Sequence, residues 1–140
     1  MLLILAPTDW WLGQLDPVWR AAYTLRYAST FAAPCAEVAS GPVSAPEAWR
    51  LVFTSPRADS VFKELVYSDD IHYPALLYGL AGIYSTDPTF FAEALPRVRV
   101  ATDSVTISVS CAKQRVPVAS LITDLRSGTW TRRLQEPPLQ

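Results

Sequence analysis

Residues 104–111 read Ser-Val-Thr-Ile-Ser-Val-Ser-Cys, with polar and apolar side chains in strict alternation. This period of two residues indicates a β-strand, because successive side chains of a strand point to opposite faces of a sheet. The shorter run at 97–100 alternates in the same way, and a Thr-Asp pair between the two runs supplies turn residues. We therefore predict a hairpin with the valines, Ile107 and Cys111 on one face and the serine, threonine and arginine side chains on the other.

Helical patterns surround this hairpin. They are found at 17–29, 73–84, 88–95 and 116–126. A further short helix runs through Trp49 to Phe53 and opens with a capping box, since Ser44 is followed three residues later by Glu47. Residues 60–67 fit a helix and a strand equally well, and that choice stays open. The predicted fold class is α+β, a small antiparallel sheet with flanking helices.

The length of 140 residues is typical of one domain. With 50% hydrophobic and 18% charged residues, the composition excludes a disordered chain. Three prolines and one glycine at 30–46 indicate a linker. We divide the chain into an N-terminal segment and linker of unassigned role (1–43), an α+β core (44–128) and a flexible tail (129–140).

No apolar stretch reaches the roughly 18 residues of a membrane-spanning helix, and the start lacks a basic leader region, so we expect a soluble intracellular protein.

The ionisable residues argue against an enzyme. Cys35 and Cys111 are too few for a disulfide framework and are predicted to be buried free thiols. His72, beside Asp69 and Asp70, lacks the three or four ligands that a zinc site requires. Motifs for phosphate loops, dinucleotide binding, serine nucleophiles and zinc proteases are absent from the sequence. We predict a non-enzymatic protein with no cofactor and no metal; a small hydrolase built on Cys111 and His72 is a weaker alternative.

The polar face of the predicted hairpin is the best candidate for a binding site. It carries Arg97 and Arg99 beside the serine and threonine hydroxyls, and Lys113 and Arg115 extend it. Phosphate oxygens and ribose 2′-hydroxyls are natural partners for such a surface. Because the net charge is −1, any site that binds phosphate has to be a local cluster of positive charge. A face of this composition is also typical of a sheet that only contacts water.

The tryptophans allow a second kind of nucleic-acid contact. Trp49 lies at the head of a short capped helix, where an indole could stack on a terminal base pair or pack in the core. Trp19 fits the core face of the helix at 17–29. Trp10 and Trp11 lie in an early turn, where at least one ring should be exposed.

Four short stretches, in the same order, resemble the RNA-silencing suppressors of tombusviruses and aureusviruses. They are Ala48-Trp49-Arg50-Leu51, Val61-Phe62-Lys63 leading to Tyr67-Ser68-Asp69, the helical stretch around 75–80, and Arg97-Val98-Arg99 with the strand at 105–110 and the closing helix to Arg126-Ser127. The resemblance covers roughly residues 45–127.

This resemblance implies a homodimer whose sheets join into one surface. That surface would hold double-stranded small RNA by its backbone, independently of sequence, and sequester it in the host cytoplasm. The implied RNA-binding residues are the end-stacking Trp49, the phosphate-contacting Lys63, the basic pair Arg97 and Arg99, and the hydroxyl column of Thr106, Ser108 and Ser110. Two positions depart from the family pattern, since Pro46 replaces a companion tryptophan and Glu64 a basic residue.

The sequence also allows a function other than RNA binding. The chain could be a protein-interaction module that docks on a partner through its Trp-rich N-terminal segment. Host silencing proteins are candidate partners under either interpretation. An RNA partner would be displaced by nuclease treatment, whereas a protein partner would survive it.

Overall fold

The computed structural model describes residues 16–35, 43–67 and 72–136. Its elements in chain order are α1 (Pro17–Arg26), β1 (Phe31–Ala32), α2 (Ala45–Phe53), α3 (Ala58–Tyr67), α4 (Tyr73–Thr86), α5 (Pro88–Ala94), α6 (Pro96–Arg99), β2 (Ser104–Val109), β3 (Ala112–Pro117), a 3₁₀ helix (Val118–Leu121), α7 (Ile122–Arg126) and α8 (Thr129–Gln135). The strands form one sheet in the order β1-β2-β3. The predicted α+β class is confirmed. The sheet is mixed rather than antiparallel, because β1 runs parallel to β2.

Helix α4 is the centre of the core. Every residue at 74–83 is buried, so other elements cover this helix on all sides. Helix α3 lies closest to it. A Cβ atom on Gly82 would lie 2.2 Å from the Phe62 ring, and one on Gly79 would lie 2.8 Å from the Phe62 carbonyl oxygen. The two glycines therefore allow α3 and α4 to pack at short distance.

The structure resolves the choice that the sequence left open at 60–67 in favour of a helix. Helix α3 buries Ala58, Val61, Phe62, Leu65 and Val66, which recur at helical spacing. Phe62 and Val66, two of the residues that suggested a strand, are the ones that pack against Gly82 and Gly79 of α4. Tertiary packing here decides between two local preferences that are nearly equal.

The sequence predicted the wrong hairpin partner for the strand at 104–111. Residues 97–100 do not form a strand; they lie in and just after helix α6, and β2 instead pairs with β3. Pro96 occupies the first turn of α6, where the fixed φ of proline suits a helix. Val98 is completely buried, whereas Val100 is exposed. Four alternating residues are too few to distinguish this short helix from a strand. The predicted closing helix also begins later than expected, since Val116 belongs to β3.

Both ends of the described chain pack on the core. Phe31, which the sequence assigned to a linker, pairs with Ile107 in the sheet and packs against the Trp130 ring in a tilted arrangement with ring centroids 4.1 Å apart. Residues 129–135 form helix α8 instead of a flexible tail, with Trp130 and Leu134 fully buried. Leu25 of α1 belongs to the same hydrophobic cluster. The N-terminal segment from α1 onward therefore contributes to the core.

The two cysteines form a disulfide, so the prediction of buried free thiols is wrong. The bond joins Cys35, which follows β1, to Cys111 in the tight turn between β2 and β3. Ser110 and Cys111 both have positive φ angles, 52° and 67°. This is the backbone pattern of a two-residue hairpin turn that usually requires glycine or asparagine. The disulfide holds a turn that these residue types do not favour by themselves.

Candidate nucleic-acid interface

The hairpin of β2 and β3 places hydroxyl and cationic side chains on one face. In its register Thr106 lies opposite Arg115 and Ser108 lies opposite Lys113. Directly opposed residues project to the same side of a sheet, so these four side chains share a face. The other face carries the apolar residues of β2, on the side where Phe31 enters the core.

The outer strand of this hairpin is open to solvent. Residues 112–115 of β3 are all exposed. Among the described residues, neither Lys113 nor Arg115 has an ion pair, and neither strand contains an aspartate or a glutamate. The positive charge of both side chains is therefore available to an anion.

Arg115 is held along the strand by its neighbours on β2. One guanidinium nitrogen donates to the Thr106 hydroxyl at 3.4 Å and another donates to the Ser104 carbonyl oxygen at 3.3 Å. An arginine has five N–H donors, so this arrangement leaves donors free for a ligand. The Thr106 hydroxyl retains its own proton as a donor.

Two members of the predicted hydroxyl column lie elsewhere than expected. Ser108 is only 7% exposed, because β2 is the central strand and Ser108 lies between Ala32 of β1 and Lys113 of β3. Ser110 is exposed but belongs to the turn, not to the strand. Thr106 is therefore the member of the column that lies beside a cation and is partly accessible.

The arginine pair Arg97 and Arg99 does not lie on the sheet. Both residues belong to helix α6, so their prediction as a basic pair on the sheet is wrong. The Arg97 guanidinium is partly buried and donates a hydrogen bond to the Val66 carbonyl oxygen of α3. Arg99 is exposed and points to a cavity at a different part of the surface.

Lys63 is an ion-pair partner between two helices. Its amine lies 2.8 Å from a carboxylate oxygen of Asp59 and 2.8 Å from one of Asp87. The hydrogen bond to Asp59, followed by that to Asp87, raises the pKa of Lys63 above its ordinary value. The same contact, helped by the Phe90 backbone amide, lowers the pKa of Asp87. Two carboxylates already compensate this charge, so the structure does not favour the predicted phosphate contact.

Trp49 is a core residue. Its side chain is 0% exposed, and its indole nitrogen donates to the Tyr78 carbonyl oxygen at 3.1 Å. The ring stacks on Phe53 with centroids 4.7 Å apart. Stacking on the end of a duplex requires an exposed ring, so the predicted role is wrong. The spacing of Ala48, Trp49 and Val52 on a helix was the sequence signal for burial.

The alternative nucleophile pair is not available. Cys111 is disulfide-bonded, and the His72 Nε2 lies 2.6 Å from the Ala28 carbonyl oxygen, to which it donates. Asp69 and Asp70 lie outside the described residues. Within the described ranges, no cluster of three or more metal-ligating side chains occurs.

A row of exposed aromatic rings along α1 and its C-cap residue, Tyr27, was not predicted. Trp19, Tyr23 and Tyr27 are 53%, 57% and 63% exposed, although the sequence placed Trp19 on the core face. Neighbouring ring centroids are 5.9 Å and 4.8 Å apart. With Val61 and Leu65 of α3 they line a shallow groove. Their spacing of four residues was the signal in the sequence, since it places three rings along one side of a helix.

Comparison with protein-family models, curated proteins and solved structures found no significant match to this chain. The resemblance to the tombusvirus suppressors therefore stays a prediction. In the part of the chain that the structure describes, no helix has the length and apolarity needed to cross a bilayer.

Proposed function

We propose that this protein binds double-stranded RNA by its backbone and acts as a non-enzymatic suppressor of RNA silencing. The observation that carries the proposal is the exposed hairpin face on which Lys113 and Arg115 lie in register with hydroxyl-bearing residues of β2. The absence of acidic residues from both strands supports it. Trp49, Lys63, Arg97 and Arg99 are no longer part of the proposed site.

The chemistry of this face suits a ribose–phosphate backbone. Lys113 and Arg115 are separated by two positions on one strand, about 7 Å, and project to the same side. Ammonium and guanidinium groups bind phosphate oxygens, and the Thr106 hydroxyl can donate to or accept from a ribose 2′-hydroxyl. None of these groups reads a base edge, so the expected binding is independent of sequence.

Mobility-shift titration tests the proposal directly. The ligands are a small RNA duplex, a DNA duplex of the same length and single-stranded RNA. We expect the RNA duplex to bind most tightly, because its 2′-hydroxyls and A-form shape distinguish it from the other two. Absent binding, or equal affinity for all three ligands, contradicts the proposal.

The double substitution Lys113→Gln with Arg115→Gln is expected to weaken binding to every RNA duplex. Both removed charges contact phosphate in the proposal, so the slope of log affinity against log salt should fall by about one for each lost contact. The matched control is Arg99→Gln with Arg126→Gln, which removes two positive charges away from the hairpin. Equal losses in the two double variants would show that net charge, and not this face, governs binding.

A second function is favoured by the exposed aromatic rings of α1. Exposed aromatic groups that line a groove are typical of protein-interaction sites. The interaction-module hypothesis therefore has a defined surface, made of Trp19, Tyr23 and Tyr27. The implied homodimer could use the same surface. Sedimentation equilibrium of the purified chain measures whether a dimer forms.

Replacing Trp19, Tyr23 and Tyr27 together by alanine is expected to abolish capture of a protein partner from nuclease-treated host extract. The reason is that aromatic anchors carry much of the binding energy of an interface. The control is Tyr67→Ala, which removes another exposed aromatic ring on a different helix. A partner that the triple variant still captures does not bind through α1. If no partner is captured and RNA is shifted, the RNA proposal alone is supported.

A further inference from the structure

A cavity of about 580 Å³ lies away from the hairpin, where the end of α4 meets helices α5, α6 and α7. Tyr84, Phe91 and Leu95 form its apolar wall. The volume lies within the range of about 300–1,000 Å³ that small-molecule sites occupy. Arg99, which the sequence predicted to bind RNA from the sheet, lines this cavity instead.

The apolar wall is held in place by close packing. The Tyr84 and Phe91 rings meet edge to face with centroids 5.4 Å apart. Behind Tyr84, a Cβ atom on Gly128 would lie 2.6 Å from the ring, and Gly128 has a φ of +79°. Glycine at this position lets the backbone before α8 lie directly against Tyr84. The cavity wall is therefore preformed by the packing of the helices.

The charged groups that line the cavity are both cationic. They are Arg99, in the last turn of α6, and Arg126, in the last turn of α7. Both side chains are exposed, and within the described residues neither has an ion pair or a side-chain hydrogen bond. Among the residues that the structure describes, no aspartate or glutamate lines the cavity. Two unpaired guanidinium groups beside an apolar wall are complementary to an anion that carries a hydrocarbon body.

We propose that this cavity binds an amphipathic carboxylate, with the hydrocarbon chain against Tyr84, Phe91 and Leu95 and the carboxylate between Arg99 and Arg126. Guanidinium groups form short, charge-assisted hydrogen bonds to carboxylates, which fixes the orientation of the head group. Burial of the hydrocarbon chain contributes the apolar part of the affinity. This site is independent of the RNA proposal, since the two use different residues.

Isothermal titration of the full chain with decanoate tests the site, with decan-1-ol as an uncharged ligand of the same chain length. We expect decanoate to bind and the Arg99→Gln/Arg126→Gln variant to bind it at least about tenfold more weakly, as expected when charge-assisted hydrogen bonds are lost. The affinity of the same arginine variant for decan-1-ol should equal that of the unsubstituted protein. The Lys113→Gln/Arg115→Gln variant should bind decanoate as the unsubstituted protein does.

A second variant tests the location of the bound chain. Ala92 lines the cavity and is exposed, so Ala92→Trp fills the space without disturbing the core. We expect this variant to lose binding of both ligands while its thermal unfolding, followed by circular dichroism, stays cooperative. The proposal is overturned if the unsubstituted protein does not bind decanoate at millimolar concentration. It is also overturned if either the arginine variant or Ala92→Trp retains full decanoate affinity.

Discussion

Trp49→Ala is expected to lower the free energy of unfolding by about 3–5 kcal/mol, the usual effect of truncating a buried aromatic side chain. Trp49 is completely buried against Phe53 and Phe62, so alanine would leave a large cavity. The substitution also removes the hydrogen bond that the indole donates to the buried Tyr78 carbonyl oxygen. Urea unfolding followed by far-ultraviolet circular dichroism measures the change.

The matched control is Trp19→Ala, which removes the same side chain from an exposed position. A surface substitution of this kind should change stability by about 0.5 kcal/mol or less. If Trp49→Ala costs no more than Trp19→Ala, Trp49 is not a core residue and its predicted role at the end of an RNA duplex becomes available again. The comparison therefore tests the fold and the revised binding site together.

Replacing Cys35 and Cys111 by serine is expected to destabilise the protein by about 4.5 kcal/mol according to the chain-entropy description of disulfides. The bond connects residues 76 positions apart, so its loss greatly increases the freedom of the unfolded chain. It also removes the link between the two-residue strand β1 and the turn at Ser110. Denaturant unfolding of the variant beside the oxidised protein gives the difference.

Dithiothreitol provides the control for this prediction. It should lower the stability of the unsubstituted protein by a similar amount and leave the double serine variant unchanged. Two titratable thiols in the native, unreduced protein would contradict the disulfide.

The redox state of the cysteines also bears on where the protein is located, because disulfides are rare in cytosolic proteins and the expected host cytoplasm is a reducing compartment. Thiol trapping in intact cells measures which redox state exists there.

Local signals in the sequence predict the starts of α1 and α2 and the strand β2 correctly. Asp16 caps α1 by accepting from the Val18 and Trp19 amides, and Ser44 caps α2 by accepting from the Glu47 amide. The strand at 104–109 follows from its period of two residues. Each of these features depends on atoms a few residues apart, so the sequence contains the complete information for them.

The candidate site was predicted only in part. Lys113, Arg115 and Thr106 do share a face, but β3 as the partner of β2 could not be distinguished from residues 97–100 by alternation alone. Ser108 is buried because β1 pairs on its other side, and the two residues of β1 carry no recognisable pattern. The alternation that places Thr106 and Ser108 on one face of β2 is local information, whereas the pairing of the strands and the accessibility of their side chains are not.

By itself the sequence determined the α+β class, the starts of α1 and α2 and the polar face of one strand, since each follows from short-range periodicity and capping. The tertiary structure decided which of those side chains are available. It buried Trp49 beneath α3, compensated Lys63 with two carboxylates and joined Cys35 to Cys111. The physical reason is that burial, ion pairing and disulfide formation depend on groups far apart in the chain, and the sequence does not show which of them meet.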